Sequence, residues 1–300
     1  MIKHLFKRLF FLFILQISTV FAQTKIFTPD WSIASALTEM GNPPIAMGDK
    51  RIYPLWSHRP IQPDSVLDIG TRYQPNRELL AQLPVDLVLS NFFYAHLSSV
   101  YSKEIRQIDV LFDGGNLEHI QSWHTYQKAT RVIGEAIKNP QAAEAYLTHT
   151  ENQLAIWGID IRKNAPEIDH YAVVQFGSPK ELRLYASNSM FHVAFDLMGL
   201  KQADLGVGDR WGNKLITVSE LAKLPERTCL IIISPFSKMT QADLAKSYIW
   251  QRLGFGKSRC MKVLPPVWLF GGPDSISHFA EFLHYAMTQP DNQLATKEKK

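Results

Sequence analysis

One guanidinium and a set of loop aromatics are the groups in this sequence best suited to holding a ligand. Arg72 lies in DIGTRYQPN, after the predicted strand VLDI and before a helix opened by Pro75 and Asn76, at the mouth of a predicted first lobe. Paired with a surface carboxylate it would do little. Aimed into a cleft, its planar fork binds anionic oxygens. Trp56 in YPLWSHRP, Tyr94 after DLVLSNFF, Trp211 in GDRWGN and Trp268 in PVWLFGG all fall on loops that follow strands, where an open α/β sheet places its ligand. A single loop tryptophan usually covers a local core, but four aromatics on the loops of two lobes point to a shared cleft. In LPPVWLFGG the prolines and paired glycines bar a helix or a central strand, yet Trp268, Leu269 and Phe270 follow one another. The reading is that the prolines hold this loop rigid, so that its apolar side chains face the cleft rather than fill a core.

Catalytic patterns are missing: there is no G-x-S-x-G elbow, no phosphate-cradling G-x-x-x-x-G-K-S/T loop and no H-E-x-x-H helix. The ten histidines are scattered, and the pairs His119/His124 and His278/His284, spaced by five and six, do not share a helical face. No protein-held metal and no cofactor are expected. The expectation is a binding protein rather than an enzyme. An exported hydrolase of a small ester is the alternative from another class, since Ser, His and Asp occur on loops.

The opening MIKHLFKRLF is basic and free of acids, and FFLFILQISTVFA is apolar and ends in small residues, which reads as a secretory signal over 1–22, cleaved after Ala22. The run is short of the ~20 residues of a membrane span and Gln16 interrupts it. With no cysteine at the cleavage point, a soluble periplasmic protein is expected. Losing Lys3, Lys7 and Arg8 with the signal takes the formal charge from +4 to +1, which leaves no electrostatic case for nucleic acid. The only cysteines, Cys229 and Cys260, each start an apolar run; in an oxidising compartment a disulfide is allowed, against two buried free thiols.

Short apolar runs alternating with helical patterns indicate β-α-β units and parallel sheets. KIFT, a helix from Asp30 through IASALTEMG with Gly41 as its stop, PIAM, VLDI, a helix across NRELLAQL, DLVLS and DVLF form a first α/β lobe over 23–139. Two helical patterns then follow without a strand, LEHIQSWHTYQKATRVIGEAIK and, with Pro140 in its first turn, a long linking helix over 140–163. HYAVVQF, ELRLYA, a helix over MFHVAFDLMGL, VSELAKL, CLIIIS, YIWQRLGF, CMKVL and a last helix over SISHFAEFLHYAM make a second lobe over 164–290, with a disordered tail at 291–300. The expected fold class is α/β, two parallel-sheet-containing lobes joined by a long rigid helix, with little hinge motion.

YPLWSHRPIQPDSVLDIGTRYQPNRELL, RWGNKLITVSELAKL and LPPVWLFGG resemble segments of the periplasmic ferric hydroxamate siderophore-binding proteins, FhuD-like members of the iron-siderophore substrate-binding family, over about residues 25 to 288. The resemblance implies a monomeric binding protein, of the class III periplasmic binding protein type, that passes an iron(III)-hydroxamate siderophore to an inner-membrane ABC permease. Iron(III) then arrives inside its chelate, whose oxygens supply every ligand, so no protein metal site is needed. It further implies that Arg72 and Tyr94 hydrogen-bond the hydroxamate oxygens and that Trp56, Trp211 and Trp268 form the walls. Leu269 and Phe270 stand where the family has two aromatics, so Leu269 is a departure, and Asn213 stands near a small hydroxyl position. Acidic residues that meet the permease would be Glu220, which equally serves as a charge in its helix's first turn, and Glu104 on the first lobe. Cobalamin or haem are the runner-up ligands, with Tyr94 available as an axial ligand to haem.

Overall fold

In a computed structural model that describes residues 23–57, 59–112 and 122–289, the alternating pattern becomes two five-stranded sheets with helices between and around them. The predicted signal, the tail at 291–300 and the first residues of the helix predicted from LEHIQ lie outside the described residues. The first half comprises β1 (Ile26–Thr28), α1 (Trp31–Glu39), β2 (Ala46–Met47), β3 (Leu67–Asp68), a small hairpin of β4 (Gly70–Thr71) and β5 (Gln74–Pro75), α2 (Arg77–Gln82), β6 (Leu87–Ser90) and β7 (Arg106–Asp109). Its sheet runs β3-β2-β1-β6-β7 with every neighbouring pair parallel. Asp30 starts α1 by accepting from the Ser32 and Ile33 amides, and Gly41, at φ 72°, ends it as expected. The strand expected at DVLF forms earlier, as RQID. Val110 and Phe112 are buried beyond its end, so their apolar character marks packing rather than pairing.

Two helices follow, α3 (Trp123–Ala136) and α4 (Pro140–Asn164). The longer has Pro140 at its first position and Asn139 as its cap. Its buried residues Ala143, Leu147, Thr150, Leu154, Gly158 and Ile161 recur every three or four positions, so one stripe is packed along the whole length. At Gly158 a Cβ would lie 1.8 Å from the Met198 carbonyl oxygen, and only glycine permits that approach.

The second half comprises β8 (His170–Phe176), β9 (Glu181–Tyr185), α5 (Met190–Met198), β10 (Asn213–Thr217), β11 (Thr228–Ile233), α6 (Lys238–Lys246), α7 (Tyr248–Leu253), β12 (Met261–Leu264) and α8 (Pro273–Thr288). Its sheet runs β10-β9-β8-β11-β12, parallel across β8, β11 and β12 and antiparallel through β9 and β10. VSELAKL is a 3-10 turn over Val218–Lys223. Cys229 of β11 and Cys260, just before β12, are disulfide-bonded with Cα atoms 4.5 Å apart, which decides between the bond and two free thiols. One buried apolar cluster contains Ile26 and Leu89 of the first sheet, Ile33 of α1, Leu154 of α4, Phe195 of α5, Ile231 of the second sheet and Phe279 of α8.

Candidate functional site

The hairpin β4–β5 carries Arg72 and Tyr73 at its tip. Two neighbours fix Arg72 there. Its amide donates to Asp49 Oδ2 at 3.1 Å, and its Nε lies 3.6 Å from the same oxygen. Behind it, a Cβ on Gly48 would come within 2.5 Å of the Arg72 Cα, so the absence of a side chain at position 48 lets the hairpin approach β2. The guanidinium carbon is 4.2 Å from the Trp31 ring centre, 4.9 Å from that of Trp268 and 5.4 Å from that of Tyr73. Such contacts hold a cation by the ring quadrupole and orient the fork. Nε and Nη1 are buried without a hydrogen-bond partner, donors that a well-satisfied interior would not leave idle.

Tyr94 sits at a kink in the 3-10 turn Phe92–Leu97 that follows β6, and stacks on Tyr73 with ring centres 5.4 Å apart. Burial, with the nearby Asp30 charge adding and Arg72 opposing, pushes its pKa well above the usual phenol value. The phenol therefore keeps its proton and can donate it in a hydrogen bond. Asp30 also borders the cleft. Its carboxylate accepts from the Ser32 and Ile33 amides and from the Asn91 side-chain amide at 2.8 Å, while burial raises its pKa.

From the second half, Asp209 Oδ1 accepts from the Trp211 amide at 2.8 Å and the Asn213 amide at 2.9 Å, and Asn188 braces the Asp209 carbonyl. This turn holds Trp211 edge-on to Phe270, at 5.5 Å and 76°. The loop from Leu264 to Gly272 reaches back to the first half: Ser32 Oγ donates to the Phe270 carbonyl at 2.9 Å. Arg72, Tyr94, Trp211, Trp268 and Phe270 thus line one cleft of about 290 Å³.

The loop that the sequence assigns to the cleft alone divides its side chains. Val267 is buried, Leu269 packs against the main core, and Phe270 is exposed on the cleft. Trp268 does both, lining the cleft and packing against Trp31, 4.9 Å away, in a small core that includes Met47 and Tyr53.

Other expected site residues lie apart from this group. Trp56, 40% exposed, follows the turn Tyr53–Leu55 and does not border the cleft. Asn213 opens β10 with its side-chain oxygen buried and unpartnered, also outside the cleft lining. Glu220 accepts from the Thr217 amide at 2.8 Å and pairs with Lys223 at 3.4 Å, so its charge serves its own turn, and those bonds hold its pKa below the usual range. Glu104 is exposed on the loop before β7. Conversely, Asp30, Ser32, Tyr73, Asn91 and Phe93 border the cleft without having been singled out. Asp30 is visible in the sequence as a helix start, and Tyr73 and Phe93 are the immediate neighbours of Arg72 and Tyr94. Among the described residues no group of three or more His, Cys, Asp or Glu could hold a metal ion, and no helix is long and apolar enough to cross a membrane.

No protein-family model matches the chain. Among curated proteins it is similar to the iron(3+)-hydroxamate-binding protein FhuD of Escherichia coli K12, 24% identical over 264 residues, 88% of this chain and 86% of that one. Among solved structures it has the fold of the siderophore-binding protein FhuD of Vibrio cholerae bound to Fe3+-Desferal, with TM-score 0.77, 20% identity, and 89% and 98% of the two chains covered. The fold extends to FeuA of Bacillus subtilis, a triscatecholate siderophore-binding protein complexed with ferri-bacillibactin, with TM-score 0.62, 14% identity, and 90% and 94% covered. All three are described as binding proteins.

Proposed function

We propose that this chain is the periplasmic substrate-binding component of an ABC importer and that it binds an iron(III)-hydroxamate siderophore between its lobes. The carrying observation is Arg72, a guanidinium clamped between Trp31 and Trp268 and facing a cleft that also holds the protonated Tyr94 phenol. Both are donors suited to the hydroxamate oxygens of an iron that is already fully chelated, while the surrounding rings cover its apolar flanks at roughly 25 cal/mol per Å² buried.

Charge favours hydroxamate over catecholate. Arg72 at the cleft pairs with Asp49, and the Asp30 carboxyl borders the same cleft. A nearly neutral site suits a chelate of low charge and offers no excess of cations to offset a trianionic triscatecholate. Delivery follows as part of the same proposal, with Glu220 and Glu104 as the surface carboxylates that meet the permease.

Quenching of intrinsic tryptophan fluorescence, with calorimetry, tests the reading: iron-loaded ferrichrome and ferrioxamine B should bind, and ferri-bacillibactin, haemin and cobalamin should bind at least tenfold more weakly. Binding of none of the hydroxamates, or preference for a control, would overturn it. Charge reversal at Glu220 should lower uptake in cells while sparing affinity.

A further inference from the structure

Rings from the two halves meet at the cleft. Phe93, in the turn after β6, stacks on Trp211 with centres 5.4 Å and planes 23° apart. Phe92 lies 4.1 Å from Phe93, and the Arg210 guanidinium sits 4.6 Å over the Trp211 ring and 6.0 Å over that of Phe92. Among the described residues Arg210 has no carboxylate partner; its contacts are to these rings. Four side chains, two from each half, therefore close on one another, and Phe93 and Trp211 both belong to the cleft wall.

The open space between these rings is small for the ligand proposed. About 290 Å³ lies just below the roughly 300–1,000 Å³ of sites that bury a drug-sized molecule, and a hexadentate iron chelate is bulkier than that lower limit implies. The floor leaves little room to yield. Arg72 is wedged between Trp31 and Trp268, and Tyr94 is 4% exposed. Phe93 by contrast is half-buried, on a short turn whose φ/ψ departs from helical at the next residue, and its neighbour Phe92 is exposed. Rotation about its side-chain bonds would part the stack, at the cost of its packing against the cluster that includes Phe27 and Tyr94.

We propose that Phe93, Trp211 and Arg210 form a clasp between the lobes that parts to admit the chelate, and that Phe93 and Arg210, rather than the floor, determine which ferric hydroxamates enter. The inference rests on the proposed function. When the clasp opens, an apolar flank of the ligand takes the place of Phe93 on the Trp211 face, and Arg210 turns its donors to carbonyl or carboxylate oxygens at the outward end of the ligand. If the stack were only packing between the halves, removing it would change stability and leave association rates alone.

Stopped-flow fluorescence with ferrioxamine B, a linear chelate, and ferrichrome, a cyclic one, separates these cases. Phe93→Ala should raise the association rate of both by roughly three- to tenfold, the range open to one aromatic pair, and more for the bulkier chelate. Phe93→Leu, which keeps apolar bulk and guards against a folding defect in the alanine variant, should fall between. Arg210→Ala should speed dissociation. If the wild-type protein binds both chelates and the Phe93 variants associate at wild-type rates, the clasp is overturned and the binding function stands. If calorimetry finds no binding of either chelate by the wild-type protein, the function fails and takes the clasp with it.

Discussion

Ser32 Oγ donates a 2.9 Å hydrogen bond to the carbonyl of Phe270, across 238 positions of chain. It ties the start of α1, with Asp30 as its cap and Trp31 in its first turn, to the loop that carries Trp268 and Phe270. Those four residues therefore keep their spacing without help from a ligand, and preorganisation of this kind lowers the cost of binding.

Trp268→Ala should reduce both affinity and stability, because the ring is shared between the cleft and the Trp31 core. A loss of about 2 kcal/mol in unfolding free energy is expected, less than the 3–5 kcal/mol typical of a fully buried aromatic. Phe270→Ala, at a residue 44% exposed, should weaken binding and leave the melting temperature nearly unchanged. Thermal melts beside fluorescence titrations check the pair. Equal behaviour of the two variants would mean that Trp268 has no part in the small core.

Gly48→Ala acts on Arg72 without touching it chemically. The added methyl would meet the Arg72 Cα at 2.5 Å, a backbone contact that no rotamer relieves. The hairpin tip must shift, at about 1–3 kcal/mol of strain, and the guanidinium leaves its place between the two indoles. Ferric hydroxamate affinity should fall at least tenfold in calorimetry while the far-ultraviolet circular dichroism stays that of the wild type.

Asp274, in the first turn of α8, sets a pH dependence of stability. It is 3% exposed, and burial raises its pKa to about 7, with Glu39 adding and the Ser35 hydroxyl and local backbone amides opposing. Facing it are Ser35 and Glu39 of α1 and Tyr146 of α4, while Tyr53 hydrogen-bonds Ser35 at 2.7 Å. The folded state therefore holds a proton that the unfolded chain, at the ordinary carboxyl value of 3.8, gives up. Stability from this group falls as pH rises from about 4 to about 7 and stays at its lower level above that, by at most on the order of 4 kcal/mol. Asp274→Asn should raise the melting temperature at pH 8 and make little difference at pH 4. The same increment at both values would remove the assignment.

Local patterns were legible in the sequence where one element determines them: Pro140 at the head of α4, Gly41 after α1, the alternation that builds both sheets. Arg72 and Tyr94 were visible because they follow strands. The rest depends on contacts between distant segments. The Tyr53–Leu55 turn sends Tyr53 inward, 2% exposed, and leaves Trp56 out, a choice fixed by packing on α1 that residue type does not reveal. Leu269 turns to the core because its neighbours Trp268 and Phe270 face the cleft. Phe93 carries no signal of its own until Trp211, more than a hundred positions later, is set against it.

The apolar cluster that draws on both sheets has an implication for how the molecule comes into being. Each half has a smaller buried cluster of its own, but α1 and α8, near opposite ends of the described chain, bury their faces in one shared mass. The protein should therefore melt and form as one cooperative unit, and a truncated half would expose a raw hydrophobic wall instead of folding as an independent module. The cleft is then complete only once the last helix has docked.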